Sequence, residues 1–237
     1  MSTKTGSSNQ RDTVFPHSCD AQGCLIASHK FLTMGECIGW SSKVKTLQDK
    51  WIDRGHFNTL GSATYQDPSD AYPTIANLNN PTLHEHFEPL LRKVYDFYKA
   101  DYEQPNGVAF PGFHIFREDA NGKQGHAHID EPFIHINWGQ EIRNPFSFTL
   151  LIEQPKVGAG MDYWDQVVTE EHLKKVLLED IYPEHKHFRY SLGILYTHNG
   201  LFPHRIANTG DMQTGEYRIT LQGHGVTLEN GKRVLYF

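Results

Sequence analysis

The sequence predicts a mostly β protein with flanking helices, in which a sheet closes on itself and helices back one side. Three observations predict it. Helical periodicity is confined to residues before about 105 and to one later insert. After Gly107, short β-prone runs follow one another, and Gly, Pro and Asn separate most of them. Helices first and then a train of strands fit a sandwich or jelly roll with a mouth for a small ligand.

The elements follow in order. Residues 1–14 are polar and expected to be disordered, and 15–237 to form a single domain. Within it the reading is a helical part to about 105 and a β core over 108–237 with a helical insert at 169–181. Residues 15–40 carry no clear period. Between Ser42 and Arg54, Val44, Leu47 and Trp51 fall at helical spacing, and Gly55 is a stop. His56–Tyr65 reads as an early strand, and Asp67–Pro81, rich in Pro, Asp and Asn, as a loop. A helix is expected to open at Pro81, with Thr82 as cap and Glu85 at the capping-box position. Phe87, Leu90, Leu91, Val94, Tyr95 and Tyr98 continue it as a core-packing stripe. Strands are expected at Val108–Phe116, His126–Asn137, Phe146–Glu153, Leu192–Thr197, His204–Ala207 and Glu216–Gly223. Thr169 caps the insert, whose stripe is Leu173, Val176, Leu177 and Ile181.

Composition narrows the function classes. At 237 residues the chain is long enough for a sizeable core. A net charge of −6 and a pI near 6.2 argue against a nucleic-acid partner, which would need clustered Lys and Arg. No apolar run approaches the length of a membrane span, roughly 18 residues. The N-terminus lacks an apolar signal segment, and the three cysteines, Cys19, Cys24 and Cys37, are an odd number. A reduced, cytoplasmic protein with a small-molecule partner, and neither membrane nor nucleic acid, is the expectation.

The chemistry centres on His126-Ala-His128-Ile-Asp130. Side chains alternate along a strand, so His128 and Asp130 project to the same side. With one later histidine they form a two-histidine, one-carboxylate facial set, which suits non-haem Fe(II). His198 and His204 both stand in strand-like context, and His204 is preferred. His126 is either a supporting partner of that set or ordinary surface. Downstream, Arg218 and Thr220 share a face and offer a fork of donors plus a hydroxyl, a pairing suited to a carboxylate.

In this order, His128, Asp130, His204, Arg218 and Thr220 resemble the Fe(II)/2-oxoglutarate-dependent dioxygenases. That family's pattern is His-x-Asp/Glu, a long gap, His, then an Arg often followed by x-Ser or x-Thr. Arg218 follows His204 by 14 positions, within the family's range. Phe146-Ser-Phe-Thr-Leu-Leu-Ile, running on to Gly158-Ala-Gly-Met161, matches the strand and glycine connection after the first two ligands. The resemblance covers residues 108–225 and none of the first hundred. It implies a double-stranded β-helix, or cupin-like, core. It places Fe(II) on His128, Asp130 and His204. The far carboxylate of the cosubstrate 2-oxoglutarate falls to Arg218 and Thr220, with a further hydrogen bond from Thr149. Dioxygen is the oxidant, and succinate and CO2 are the by-products. Halogenases of the superfamily carry a small residue at the carboxylate position. Asp130 therefore implies hydroxylation, with desaturation or ring closure as related outcomes.

The substrate is not legible. Trp138 and Glu131 are candidate substrate-binding residues, and Asp162, Tyr163 and Trp164 are further candidates for the lining of the mouth, although loop and core roles fit each at least as well. The acidic residues point to a cationic small molecule such as a free amino acid. Two other readings stay open: a metal-dependent cupin-type enzyme without cosubstrate, and a non-enzymatic barrel that binds a small ligand. The first has no use for Arg218 and Thr220, and in the second the His cluster is incidental.

Overall fold

A computed structural model of the chain describes residues 26–120, 126–164, 184–208 and 210–237. The disorder expected at 1–14, Cys19, Cys24 and the helix expected at 169–181 lie outside the described residues. Cys37 is a buried free thiol.

The strands are β1 (Ala27–Lys30), β2 (Ile52–Asp53), β3 (Asn58–Leu60), β4 (Gly112–Phe116), β5 (Ile142–Glu153), β6 (Gly160–Tyr163), β7 (Lys186–Arg189), β8 (Ile194–His198), β9 (His204–Ile206), β10 (Arg218–Leu228) and β11 (Arg233–Tyr236). Two helices precede β4: α1 (Met34–Thr46) and α2 (Tyr72–Tyr98). The larger sheet runs β1-β8-β5-β10-β4-β3-β2, with β11 also on β10; the smaller runs β7-β6-β9. Every pairing is antiparallel. A bridge between His128 and His204 adds residue 128 to the edge of the smaller sheet. This is the jelly-roll core that the strand run predicts.

Alternation along the strands divides the interior in two. Phe113 and Ile115 of β4, Phe146, Phe148, Leu150 and Ile152 of β5, and Ile219 and Leu221 of β10 pack against Leu83, Phe87, Leu90, Leu91, Val94, Tyr95 and Tyr98 of α2. The residues between them point the opposite way, toward the smaller sheet. There Leu151, Ala159, Met161, Tyr190, Tyr196 and Phe202 form a second core. β10 runs through Gly223 and Gly225 because rings of β5 lie on them. A Cβ at Gly225 would stand 2.1 Å from Phe146 Cζ, and one at Gly223 2.7 Å from Phe148 Cζ.

Several boundaries differ from those the sequence suggests. The first helix starts at Met34, where Thr33 and Glu36 close a capping box. It ends at Thr46, and the Trp51 indole folds back to donate to Val44 O at 3.1 Å. Helix α2 opens at Tyr72, not at Pro81, so part of the expected loop is helical. Its Asn-rich first half finds partners off the helix. Asn80 donates to Val108 O at 2.8 Å and accepts from Phe110 N, and Asn77 accepts from Gly107 N. Tyr72 and Ala76 are buried with Ala63, Ala109 and Phe237. The strand expected over His126–Asn137 shrinks to the single bridge at His128, followed by a 3-10 turn at Pro132–His135. Pro132 has no N–H for a ladder, and the Asp130 N–H is spent on Gly200 O at 2.7 Å.

Candidate metal centre and its cavity

His204 lies on β9 and His128 across the bridge from it, each backbone N–H donating to the other's carbonyl at 2.9 Å. This places the two imidazoles side by side, ring centroids 4.6 Å apart. Asp130 faces both: its Oδ1 is 3.7 Å from His128 Nε2 and its Oδ2 3.4 Å from His204 Nε2. One ligand atom from each of the three lies within 4.8 Å of the others.

The tautomers are set by the backbone. His128 Nδ1 sits 2.9 Å from His126 O, and His204 Nδ1 2.9 Å from Phe202 O. A carbonyl only accepts, so both Nδ1 atoms carry hydrogen and both Nε2 atoms face Asp130, free to offer a lone pair to a metal once deprotonated, as in metal-binding histidines. Burial by itself would raise the Asp130 carboxyl; the charge and hydrogen bond of His204, with His224 and His128, hold it well below the usual range. Burial would likewise lower His204, and Asp130 outweighs it in the other direction. Gly200, at φ +73°, packs beneath the carboxylate: a Cβ there would lie 2.7 Å from Asp130 Cβ and 2.9 Å from Ser147 Oγ.

These residues open onto a cavity of about 500 Å³. Strand register lays out its floor. Along β10, Arg218, Thr220, Gln222 and His224 share the inward face; Gln222 pairs with Thr149 and His224 with Ser147 on β5. Ser147 in turn pairs with His198 of β8. The candidate ligands His128, Asp130 and His204 stand at the His224 end, and Arg218 marks the other. Arg218 is 5% exposed, and burial lowers its pKa. Its guanidinium lies over the Phe116 and Tyr190 rings, at 5.6 and 5.7 Å, and donates to Gly160 O at 3.2 Å. Nε has no acceptor, and among the described residues no carboxylate pairs with this cation. A buried charge without a counter-ion is costly, so the floor ends in a site built for an anion. The Thr149 and Tyr190 hydroxyls, hydrogen-bonded to each other, line the same stretch.

No family model and no curated protein matches the sequence. Solved structures do. An N-substituted L-amino acid dioxygenase from Burkholderia ambifaria superposes with a TM-score of 0.61 at 16% identity, over 90% of this chain and 86% of that one. The same enzyme in complex with α-ketoglutarate gives 0.59 at 15% identity, over the same shares. HygX from Streptomyces hygroscopicus, with nickel and 2-oxoglutarate bound, gives 0.50 at 10% identity, over 85% of this chain and 82% of that one. The fold is that of the Fe(II)/2-oxoglutarate-dependent oxygenases.

Against this oxygenase fold the expected site residues sort into three groups. His128, Asp130, His204, Arg218 and Thr149 line one cavity, and Glu131 and His126 stand in its wall. His198 also lines the cavity, beside His204: its Nδ1 accepts from Gly200 N at 3.1 Å, and burial, with His204 nearby, pushes it down to about 3. Thr220 shares the face of Arg218 but is fully buried and not part of the lining. Its hydroxyl accepts from the Gln222 amide at 3.1 Å, and Gln222 takes the lining position. Trp138 is away from the cavity, donating to Phe133 O and packing on Tyr236. Asp162, Tyr163 and Trp164 do not line it either. Asp162 is buried beside His187 at 2.9 Å and Arg205 at 3.4 Å. Tyr65, Gln66, His114, Tyr190 and His224 also line the cavity and escape a reading by motif. For His114 and His224 the signal was present as inward positions of β4 and β10; Tyr65 lies in a loop, where no period marks it.

Proposed function

We propose that the protein is an Fe(II)- and 2-oxoglutarate-dependent oxygenase that hydroxylates a small metabolite. The observation that carries this reading is Arg218: a buried cation with no carboxylate partner among the described residues, at the far end of the cavity that begins at His128, Asp130 and His204.

In this reading His128, Asp130 and His204 would hold Fe(II), the histidines through Nε2 and the aspartate through its carboxylate. The bound iron supplies dioxygen activation coupled to oxidative decarboxylation of 2-oxoglutarate to succinate and CO2. The chain's own residues do the rest. Arg218 receives the far carboxylate of the cosubstrate, and the Thr149 and Tyr190 hydroxyls flank it. Gly200, His126 O and Phe202 O keep the ligands in the geometry that binds metal. Asp130 occupies the position a halide would need, which favours hydroxylation. A cavity of about 500 Å³ matches a small molecule. Glu131 in its wall suits a cationic group, so amino acids and their N-substituted forms, the class named for the Burkholderia protein, are the first compounds to test.

The test is anaerobic titration of the metal-free protein with Fe(II) and then 2-oxoglutarate, followed by visible absorption. A charge-transfer band is expected that fails to form at the same cosubstrate concentration in Arg218→Ala. Iron bound without any band in the wild type would reject the cosubstrate.

A further inference from the structure

We propose that Tyr65 anchors the primary substrate, its hydroxyl donating to a carboxylate oxygen of that molecule, with His114 and Arg54 as positioning residues behind it. The inference rests on the oxygenase reading above and adds the substrate side of the same cavity.

The loop between β3 and α2 brings Tyr65 and Gln66 into the cavity wall. It is tightly held. Asp67 Oδ2 accepts from Ala63 N at 2.9 Å, and Asp67 Oδ1 from Arg54 Nη1 at 2.7 Å, an ion pair with both side chains buried. Thr64 N donates to Phe237 O at 3.1 Å. A wall fixed this way is in place before a ligand arrives, which is what orientation at a reacting centre requires.

Tyr65 is hydrogen-bonded through its hydroxyl to His114 Nε2. His114 is 6% exposed and lines the cavity from β4. Its strand partner across the sheet is Thr59, whose hydroxyl accepts from Arg54 Nε at 3.1 Å. Burial, with Arg218, His224 and Arg54 nearby, pushes His114 down to about 3, so the ring is neutral and carries one N–H. Two tautomers are available. Hydrogen on Nδ1 would leave a buried donor without an acceptor, near an arginine whose Nη2 also has none. Hydrogen on Nε2 instead places a bare Nδ1 lone pair in the field of that cation, a smaller cost.

With Nε2–H donating to the Tyr65 oxygen, the phenol proton is left to point elsewhere. Among the described residues the hydroxyl has no partner besides His114, and the residue is 41% exposed. Burial, with the Asp130 charge nearby, raises the Tyr65 phenol well above its usual range, so it keeps its proton at neutral pH. Tyr65 is therefore a donor aimed at the cavity. Its ring lies 6.3 Å from that of His224, at the metal end of the floor, whereas Arg218 sits between Phe116 and Tyr190 at the other. The two donors serve different molecules. Glu131 on the same wall suits an ammonium, so an α-amino acid satisfies both residues.

Two measurements decide it. Long-range proton–nitrogen NMR of the histidine-labelled, Zn(II)-loaded protein reads the His114 tautomer. Nε2–H is expected, and Nδ1–H overturns the inference. Succinate release is then followed with L-amino acids, their N-methyl forms and the matching amines that lack the carboxyl group. Acids are expected to accelerate it and amines not. Tyr65→Phe should raise KM for an accelerating acid by about tenfold, with the 2-oxoglutarate band still formed. Equal acceleration by the amines, an unchanged KM in Tyr65→Phe, or no acceleration by any acid while the band forms each overturns the anchor. Absence of the band in the wild type sinks the oxygenase reading instead, and the tautomer measurement still stands.

Discussion

At the scale of single residues, two positions carry the heaviest consequences. Under the proposed function, removing Arg218 takes away the charged partner of the cosubstrate, a contact of about 1.5–3 kcal/mol. Arg218→Ala is expected to weaken 2-oxoglutarate binding by about 10- to 100-fold while Fe(II) affinity stays within a few-fold, measured by separate titrations. Gly200 supports the candidate ligand Asp130. Its positive φ is costly for any side chain, and a Cβ would press on Asp130 at 2.7 Å. Gly200→Ala should therefore cost metal affinity about 10- to 100-fold, as loss of a ligand's support does. Competition with a chromophoric chelator measures it, and unchanged affinity would mean that Asp130 has room to adjust. The ligand pair His128 and Asp130 was legible because alternation needs only adjacent residues. Gly200 was not, since its role depends on a chain crossing from 70 residues earlier.

Among the elements, the loop before α2 is the one whose stability can be tested directly. Arg54 and Asp67 are both buried and pair at 2.7 Å. Asp67→Ala leaves the guanidinium buried without its counter-charge, which costs about 3–5 kcal/mol. Urea unfolding should show that loss, and the double variant Arg54→Met/Asp67→Ala should recover part of it; no recovery would mean that Asp67 acts through Ala63 N rather than through the charge. The second half of α2 was readable from its apolar stripe. Its first half was not, because Asn77, Asn79 and Asn80 look like loop residues until their partners on Gly107, Ser62 and Val108 are present. The same reason hid the end of the strand expected after His126, where Pro132 and the contact to Gly200 replace ladder bonds.

For the whole molecule, the cavity's neutral histidines couple stability to pH. His114 and His198 are both pushed from 6.5 to about 3, by burial first and then by nearby positive groups. The folded state thus resists a proton that the unfolded chain accepts near pH 6.5. Their contribution is complete above that pH and is lost as pH falls toward 3. At pH 5 the loss is up to about 2 kcal/mol for each ring. Metal-free protein should show a lower urea midpoint at pH 5 than at pH 7.5, and His114→Gln should flatten that slope. A wild-type slope that is flat over this range would contradict neutral burial. No helix among the described residues is long and apolar enough to cross a membrane.

By itself the sequence determined the class of fold, and it picked out the candidate ligands His128, Asp130 and His204 and the candidate anchor Arg218 that the structure brings to one cavity. Each of these is written in local pattern: the change of period after Gly107, the spacing of His128 and Asp130, the order of His204 and Arg218. Tertiary structure alone decided what surrounds them. It put Gln222 rather than Thr220 in the lining, because Thr220 is sealed beneath the Gln222 amide. It turned Trp138 into the packing of Tyr236 and brought Tyr65 against His114. Those outcomes depend on which strands lie side by side and how far each side chain reaches, distances that no single stretch of sequence contains.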